Sequence, residues 1–183
     1  MRVLFLGTPS FAAIPLEALA RDGRFELAGI VTQPDRPVGR RGTPQPPGVK
    51  QRALALGLDI PILQPETLRD EAAIAEVAAL RPDVGVVAAY GEILRRAVLA
   101  LPPHGYLNIH PSLLPLYRGP TPVSSAILAG DQETGVSVMR LSAKMDAGPI
   151  LAQRRVSLAP DAHTGPLTDQ LFELGAALLL EVL

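Results

Sequence analysis

The stretch VGVVAAY, which covers residues 84–90, is the feature that most constrains the fold. It is almost entirely apolar and contains three valines, so it predicts a strand that is buried on both faces. Strands of that composition occur inside parallel sheets, whose connections are long enough to contain helices. We therefore expect a chain in which helices separate the strands.

Patterns elsewhere in the chain agree with this alternation. Apolar runs predict further strands at residues 3–7, 25–32 and 105–110. Helical patterns occur at residues 11–23, 49–57, 70–83 and 121–131, and a leucine-rich segment predicts a last helix at the C-terminus. Thr121 is the predicted N-cap of the helix that begins at Pro122. Residues 33–48 are dense in proline, glycine and arginine and predict a long loop.

The second half of the chain adds a different pattern. Residues 134–142 and 150–158 alternate between polar and apolar side chains, which predicts a pair of half-exposed strands. With the preceding elements, this pair predicts an α/β, Rossmann-like fold: a mostly parallel sheet with an antiparallel extension and helices on both faces. The first loop, GTPSFAA, lacks the G-x-G-x-x-G spacing of dinucleotide-binding proteins, which argues against a dinucleotide cofactor.

Composition excludes several kinds of site. The 183 residues suffice for one domain with a sizeable core, and the absence of cysteine excludes disulfides, cysteine nucleophiles and thiolate zinc sites. Because the net charge is -1, any nucleic-acid binding must come from a local basic patch. The N-terminus lacks a signal-peptide pattern, and no apolar run is long enough to span a bilayer. We expect a monomeric cytoplasmic protein without membrane contacts.

The segment LNIH places Asn108 and His110 two residues apart at the end of a predicted strand. Residues two apart in a strand share a face, so both side chains can enter one pocket at the sheet edge where open α/β folds bind ligands. An amide can donate a hydrogen bond to an oxyanion, and an imidazole can transfer a proton near neutral pH. Asp146, between two predicted strands, can orient the imidazole and favour its charged form. These groups suit acyl transfer to an amine without a covalent intermediate.

Other interpretations of these residues stay open. A histidine at a strand end is often a packed core residue. Ser112 could act as a nucleophile, although the chain lacks the G-x-S-x-G turn of hydrolases. His110 and Asp146 could bind a metal with another histidine, but His104 and His163 lack metal-site spacing, and we expect no metal.

Several segments resemble the folate-dependent formyltransferases. NIHPSLLPLYRG, residues 108–119, resembles the core motif of that family, and MDAGPI, residues 145–150, resembles its downstream partner. GTPSFAA, TQPDRPVGR and AYGEIL resemble the methionyl-tRNA formyltransferases within the family, and the likeness extends over the whole chain. The resemblance implies a formyltransferase fold. It also implies formyl transfer from 10-formyltetrahydrofolate to the amino group of initiator methionyl-tRNA, with Asn108, His110 and Asp146 as the catalytic residues.

The resemblance also assigns two binding regions. The residues that it places against the folate are Tyr90, Gly91, Glu92, Ile93, Leu94, Ser112, Leu113, Leu114, Pro115, Lys144 and Met145. The residues that it places against tRNA phosphates are Arg36, Arg40, Arg41, Lys50 and Arg118. Several of these cations lie in or beside the proline-rich loop, whose prolines reduce the entropy lost when it becomes ordered.

Two departures from the family pattern affect this assignment. The family has a basic residue where this chain has Leu116, which weakens the case for a phosphate contact there. The chain also ends where the family's first domain ends, so we expect one catalytic domain over residues 1–183 without the family's C-terminal β-barrel. Other functions that fit the same residues are an amino-sugar formyltransferase, a 10-formyltetrahydrofolate hydrolase, and a non-catalytic folate- or RNA-binding module.

Overall fold

The computed structural model describes residues 1–38 and 42–183. These residues form two compact units, Met1–Tyr106 and Leu107–Leu183. No helix in the described ranges combines the length and the apolar character needed to cross a membrane.

The first unit alternates strands and helices. Its strands are β1 (Arg2–Gly7), β2 (Glu26–Val31), β3 (Arg36–Val38), β4 (Thr43–Gln45), β5 (Ile62–Leu63) and β6 (Val84–Ala88). Its helices are α1 (Ala13–Arg21), α2 (Gly48–Ala55), α3 (Glu71–Ala79) and α4 (Arg96–Leu99), and a 3₁₀ turn over Ser10–Ala12 precedes α1. The strands β5, β2, β1 and β6 lie side by side in that order, and their parallel pairing is as predicted.

Strand β6 has the environment that its composition predicts, since all five of its residues are buried. The strand ends at Ala88, two residues before the predicted end, because Ala89 adopts a left-handed conformation with φ of 49°. Gly85 allows close packing inside this unit. A Cβ atom at Gly85 would lie 2.0 Å from the ring of Tyr106, so the ring packs directly on the backbone of β6.

The prediction of a long loop over residues 33–48 was wrong in part, because the segment contains a β-hairpin. Strands β3 and β4 pair antiparallel, with Arg36 opposite Gln45 and Pro37 opposite Pro44. Proline cannot donate a hydrogen bond, and it is tolerated in an antiparallel ribbon at a non-hydrogen-bonded pair. Two prolines that face each other are therefore compatible with pairing by their neighbours, and proline content alone does not exclude strands here.

The second unit is an antiparallel sheet with helices. Strand β7 (Tyr106–His110) begins at the last residue of the first unit and is followed by α5 (Pro122–Ala129), β8 (Glu133–Arg140), β9 (Ile150–Ser157) and α6 (Thr164–Val182). Strand β8 pairs antiparallel with both β7 and β9. The parallel strands of the first unit and the antiparallel strands of the second are the two components predicted from the sequence, so the α/β fold class is confirmed.

The predicted half-exposure of β8 and β9 was wrong in opposite directions. The interior of β8 is buried, whereas most residues of β9 are exposed. The reason is tertiary: β8 has a strand on each side and is packed against α6, where a Cβ atom at Gly175 would lie 3.0 Å from Val136. Within the described chain, β9 pairs with β8 alone.

The start of α5 is as predicted, but its capping differs. Thr121 occupies the N-cap position and Pro122 the first helical position, yet the Thr121 side chain makes no capping hydrogen bond. Its carbonyl group instead accepts a hydrogen bond from Ser125 Oγ at 2.7 Å. The last helix, α6, begins at Thr164 and is longer than the leucine-rich segment suggested.

Gly85→Ala tests the packing of Tyr106 on β6. The added methyl group would overlap the Tyr106 ring, so we expect the free energy of unfolding to fall by about 1–3 kcal/mol, as overpacked cores do. Urea denaturation measures this change. Gly23→Ala is the control, because a Cβ atom there would meet nothing within 4 Å. Equal stability of the two variants would contradict the close contact.

Candidate active site

Strand β7 directs Asn108 and His110 to the same face of the second unit. The residue between them, Ile109, packs against Gly175 of α6, where a Cβ atom would lie 2.6 Å from the Ile109 side chain. Alternation along the strand therefore places the amide and the imidazole on the face away from α6. Both residues are buried, with exposed fractions of 9% for Asn108 and 5% for His110.

The contacts of His110 determine the roles of its two nitrogen atoms. Nε2 lies 2.9 Å from the carbonyl oxygen of Tyr117, and Nδ1 lies 3.7 Å from Oδ2 of Asp146. Because a carbonyl group can only accept a hydrogen bond, Nε2 carries a proton. In the neutral ring, Nδ1 is then the acceptor, and it faces the carboxylate. The structure thus places Asp146 beside His110, and strand alternation puts Asn108 on the same face as His110.

Asp146 is held in place by its backbone and by one strong contact. Its φ of 44° is in the left-handed region, which non-glycine residues adopt mainly where surrounding contacts impose it, often at functional sites. Its Oδ2 accepts a hydrogen bond from the backbone N–H of Gly119 at 2.8 Å. Gly148 closes the same loop, because a Cβ atom there would lie 1.9 Å from the carbonyl oxygen of Arg140. The carboxylate therefore has a restricted position beside His110.

The amide of Asn108 is available to a ligand. Its side chain has no hydrogen-bond partner within residues 1–38 and 42–183, although the residue is almost fully buried. A buried polar group without a partner is costly unless a ligand or water satisfies it. The amide can therefore donate to an oxygen atom that enters this pocket.

Ser137 organises the loop that follows β7. Its hydroxyl group donates to the carbonyl oxygen of Ser112 at 2.6 Å and accepts from the backbone N–H of Leu114 at 3.1 Å. The side chain of Gln153 donates to both Ser137 Oγ and the carbonyl oxygen of Leu114. These bonds join the loop to β8 and β9, in the segment that leads to Tyr117.

Both the backbone and the side chain of Tyr117 are constrained. Its φ of 53° is left-handed, and its hydroxyl group donates to Asp131 at 2.6 Å. That hydrogen bond raises the pKa of Tyr117 above its usual value. The constraint directs the Tyr117 carbonyl group at His110.

The contacts of the described residues support neither a serine nucleophile at Ser112 nor a metal site. Ser112 is fully buried, and its hydroxyl group donates to the carbonyl oxygen of Leu116 at 2.6 Å, so it is engaged in the loop and does not have the exposure of a nucleophile. Within the described part of the chain, no group of three or more histidine, aspartate or glutamate side chains is arranged to hold a metal ion.

The predicted folate residues of the second unit have mixed environments. Leu113, Leu114 and Pro115 line a cavity of about 370 Å³, which Gln153 and Arg155 also line. Ser112 and Leu114 are buried, whereas Lys144 and Met145 are exposed in the loop before β9.

The predicted folate loop of the first unit, residues 90–94, is anchored at two residues that precede an exposed side chain. The hydroxyl group of Thr8 donates to the carbonyl oxygen of Tyr90 at 2.7 Å. Glu92 accepts hydrogen bonds from Thr67 Oγ1 at 2.6 Å and from the backbone N–H of Leu68 at 2.9 Å. Ile93, which directly follows the anchored Glu92, is 59% exposed, whereas Leu94 is buried and Gly91 has φ of 97°. Burial raises the pKa of Tyr90.

The predicted RNA-contacting cations are engaged to different degrees. Arg36 forms an exposed ion pair with Glu66 at 2.6 Å, and the ammonium group of Lys50 contacts Asp35 at 2.9 Å. Arg118 is exposed in the loop after β7. Arg40 and Arg41 lie outside the described residues.

Four residues that support the site were missed by sequence analysis. Tyr117 and Gly119 act through their backbone groups, and such groups leave no mark on residue identity. Ser137 and Gln153 act from strands that are distant in sequence, so only the antiparallel register reveals their contacts with the loop.

Comparison with known proteins decides the family. The sequence pattern of the formyl transferase family matches residues 1–183, which is the whole chain. The chain belongs to the formyl transferase family. It is 66% identical over 183 residues to the methionyl-tRNA formyltransferase of Roseiflexus sp. (strain RS-1) and 66% identical to that of Chloroflexus aggregans. These matches cover 100% of this chain but 56% and 58% of the relatives, so the formyl transferase chain spans little more than half their length.

Solved structures of formyl transferases share the fold. The phosphoribosylglycinamide formyltransferase of Bacillus halodurans has a TM-score of 0.78 at 24% identity, with 97% of this chain and 91% of that chain covered. The glycinamide ribonucleotide transformylase 1 of Geobacillus kaustophilus has a TM-score of 0.76 at 28% identity, with 99% and 95% covered.

Ser137→Ala tests whether the buried serine holds the loop beside His110. The variant leaves the carbonyl group of Ser112 and the N–H of Leu114 without their partner, so we expect a loss of about 2–3 kcal/mol in the free energy of unfolding. Chemical denaturation provides the measurement. Ser157→Ala makes the same change at an exposed position of β9 and should alter stability by less than about 0.5 kcal/mol. A Ser137 variant as stable as the control would remove this role.

Proposed function

We propose that this chain transfers a formyl group from 10-formyltetrahydrofolate to the amino group of initiator methionyl-tRNA. The observation that carries the proposal is its 66% identity, over all 183 residues, to the methionyl-tRNA formyltransferase of Roseiflexus sp.. The expected location in the cytoplasm and the monomeric state stay predictions.

The proposed reaction is a direct transfer. The methionine nitrogen attacks the formyl carbon, the new N–C bond forms, and the bond between that carbon and N10 of the folate breaks. The attacking amine loses one proton, and N10 gains one. The negative charge that develops on the formyl oxygen needs a hydrogen-bond donor, and the amide of Asn108, which has no hydrogen-bond partner among the described residues, suits this role.

His110 and Asp146 suit the transfer of the proton. With Nε2 donating to Tyr117, the lone pair of Nδ1 is the basic position of the neutral ring. The Asp146 carboxylate lies 3.7 Å from that atom, so its negative charge stabilises the imidazolium formed when the amine proton arrives. The amide of Asn108 would donate to the oxygen, and the positive charge of the nearby imidazolium would add to its electrostatic stabilisation.

The folate donor would use the residues assigned by the resemblance. Ile93, exposed directly after the anchored residues Tyr90 and Glu92, supports an apolar wall of the first unit. In the second unit, the exposed Met145 precedes Asp146 directly and would place the donor beside the catalytic carboxylate. The tRNA acceptor would meet the hairpin that carries Arg36, and Arg118 after β7, through its phosphates.

A formyl-transfer assay tests the proposal. The chain receives 10-formyltetrahydrofolate with initiator methionyl-tRNA, with a uridine amino sugar, or with no acceptor. Formylation of the tRNA supports the proposal. The exposed Leu116, where the family has a basic residue, favours an amino-sugar acceptor as the second candidate, and formylation of the sugar alone would establish it. Donor consumption without acceptor indicates a hydrolase, and donor binding without turnover indicates a binding module.

Asn108→Ala and His110→Ala test the two buried catalytic groups. Each variant should lose at least about a hundredfold in kcat, the usual size of oxyanion and general acid–base effects. Steady-state rates with saturating tRNA give the comparison. His104→Ala is the control, because His104 is an exposed histidine of the first unit. A rate near wild type in either variant would exclude that residue from the mechanism.

Asp146→Asn separates charge from position. The asparagine oxygen can still accept the Gly119 N–H, so we expect the fold to be retained while kcat falls by at least about a hundredfold through loss of the carboxylate. Thermal unfolding and rate are measured on the same sample. Asp161→Asn, an exposed site, removes the same charge and should leave the rate unchanged. An active Asp146 variant would show that the carboxylate charge is dispensable.

A further inference from the structure

The ammonium group of Lys50 is fully engaged inside the first unit. It lies 2.9 and 3.0 Å from the two carboxylate oxygens of Asp35 and 2.6 Å from Oε1 of Gln64. A lysine ammonium group has three protons, so these three contacts use its donor capacity. The side chain is also only 24% exposed. A free phosphate contact from Lys50 would require these bonds to break.

Gln64 completes the same cluster. Its Nε2 donates to Asp35 Oδ1 at 2.7 Å and to the carbonyl oxygen of Gln33 at 2.9 Å. Hydrogen bonds from Gln64 and then from Lys50 hold the pKa of Asp35 below its usual value, so the carboxylate is charged at neutral pH. Asp35, Lys50 and Gln64 therefore form a closed polar cluster, which we call the hairpin lock.

The hairpin lock lies at the base of the β3–β4 hairpin. Asp35 directly precedes β3. Lys50 lies in the first turn of α2, the helix that follows β4 after two connecting residues. Strands β3 and β4 form a two-stranded sheet of their own. An isolated two-stranded hairpin is at best marginally stable in water, so its order depends on anchoring contacts at its ends.

The other limb of the hairpin is anchored by separate contacts. Gln51 Nε2 donates to the carbonyl oxygen of Pro46 at 2.6 Å, and the backbone N–H of Val49 donates to Thr8 at 3.2 Å. Gly48 permits the close approach of α2, because a Cβ atom there would lie 2.5 Å from the backbone of Ser10. With this limb fixed, the hairpin lock joins the first limb to α2, and together with the exposed Arg36–Glu66 ion pair it joins that limb to the segment after β5.

We infer that Asp35, Lys50 and Gln64 are positioning residues that hold the β3–β4 hairpin in its RNA-binding conformation, and that Lys50 contacts Asp35 and Gln64 instead of a phosphate. The inference rests on the proposed function, in which this hairpin meets tRNA. It reassigns Lys50 from ligand to anchor and adds two residues, Asp35 and Gln64, to which no RNA role was assigned.

The two roles of Lys50 predict opposite effects of Asp35→Asn. If Lys50 were a phosphate ligand, removal of the neighbouring negative charge would free it and strengthen RNA binding. If the hairpin lock positions the hairpin, Asp35→Asn lowers the fraction of molecules in which the hairpin is ordered. The apparent Kd for RNA is then the intrinsic Kd divided by that fraction. A hairpin that is ordered a tenth of the time would bind about tenfold more weakly.

The experiment measures the Kd of the chain for initiator methionyl-tRNA at several salt concentrations. Asp35→Asn should raise Kd about tenfold, and Gln64→Leu should raise it without any change of charge. Glu66→Gln is the matched control: it removes one negative charge at the same hairpin but leaves the hairpin lock intact, because Glu66 pairs with Arg36. That control should keep or lower Kd. A lower Kd for Asp35→Asn, with a steeper salt dependence, would overturn the inference.

Hydrogen exchange of the β3 and β4 amides in the free chain provides a readout that does not require RNA. The Asp35 and Gln64 variants should exchange faster than wild type in this hairpin, and Glu66→Gln should not. Unchanged exchange would overturn the anchoring role whatever the RNA result. If the wild-type chain fails to bind the tRNA, the proposed function and the RNA role of the hairpin are both overturned, while exchange still decides whether the three residues hold the hairpin.

Discussion

The hydrogen bond from His110 Nε2 to the carbonyl group of Tyr117 is the interaction on which the site depends. It places the proton of the neutral ring on Nε2, and it orients the ring so that Nδ1 faces Asp146. The loop conformation that supplies this carbonyl group is maintained from a distance by the hydroxyl group of Ser137 and by the bond from Tyr117 to Asp131. The chemistry of the His110 imidazole thus depends on polar contacts from Ser137 in β8 and from Asp131, which shortly precedes β8.

The two units use polar side-chain contacts for the same purpose. In the second unit, Ser137 orders the loop beside the catalytic residues, and in the first, Asp35 and Lys50 order a hairpin. In both cases the polar groups contact each other. Of the groups suited to a ligand, the Asn108 amide has no partner among the residues that the structure describes, and the Ile93 side chain is exposed. Fully satisfied polar networks are rigid, which suits them to the support of a binding surface.

Local sequence patterns predicted those features that depend on local geometry. The apolar run of β6 decided its burial, and strand periodicity placed Asn108 beside His110. The pattern failed where burial depends on neighbouring elements: β8 and β9 alternate similarly, yet one is covered and the other lies at an edge. The Tyr117 carbonyl group was not predictable, because every residue carries a carbonyl group and only the fold selects this one.

The exposed strand β9 has a consequence for association between molecules. Among residues 1–38 and 42–183, this eight-residue strand is paired on one side only, and the backbone groups of its other side can template pairing with a second chain. Arg154 and Arg155 lie in the middle of this strand and form exposed ion pairs with Glu181 and Glu133. If two copies paired along this edge, the arginine side chains of one copy would lie close to those of the other and would lose contact with water. The charges on β9 thus oppose aggregation at the position where the sheet is most open to it.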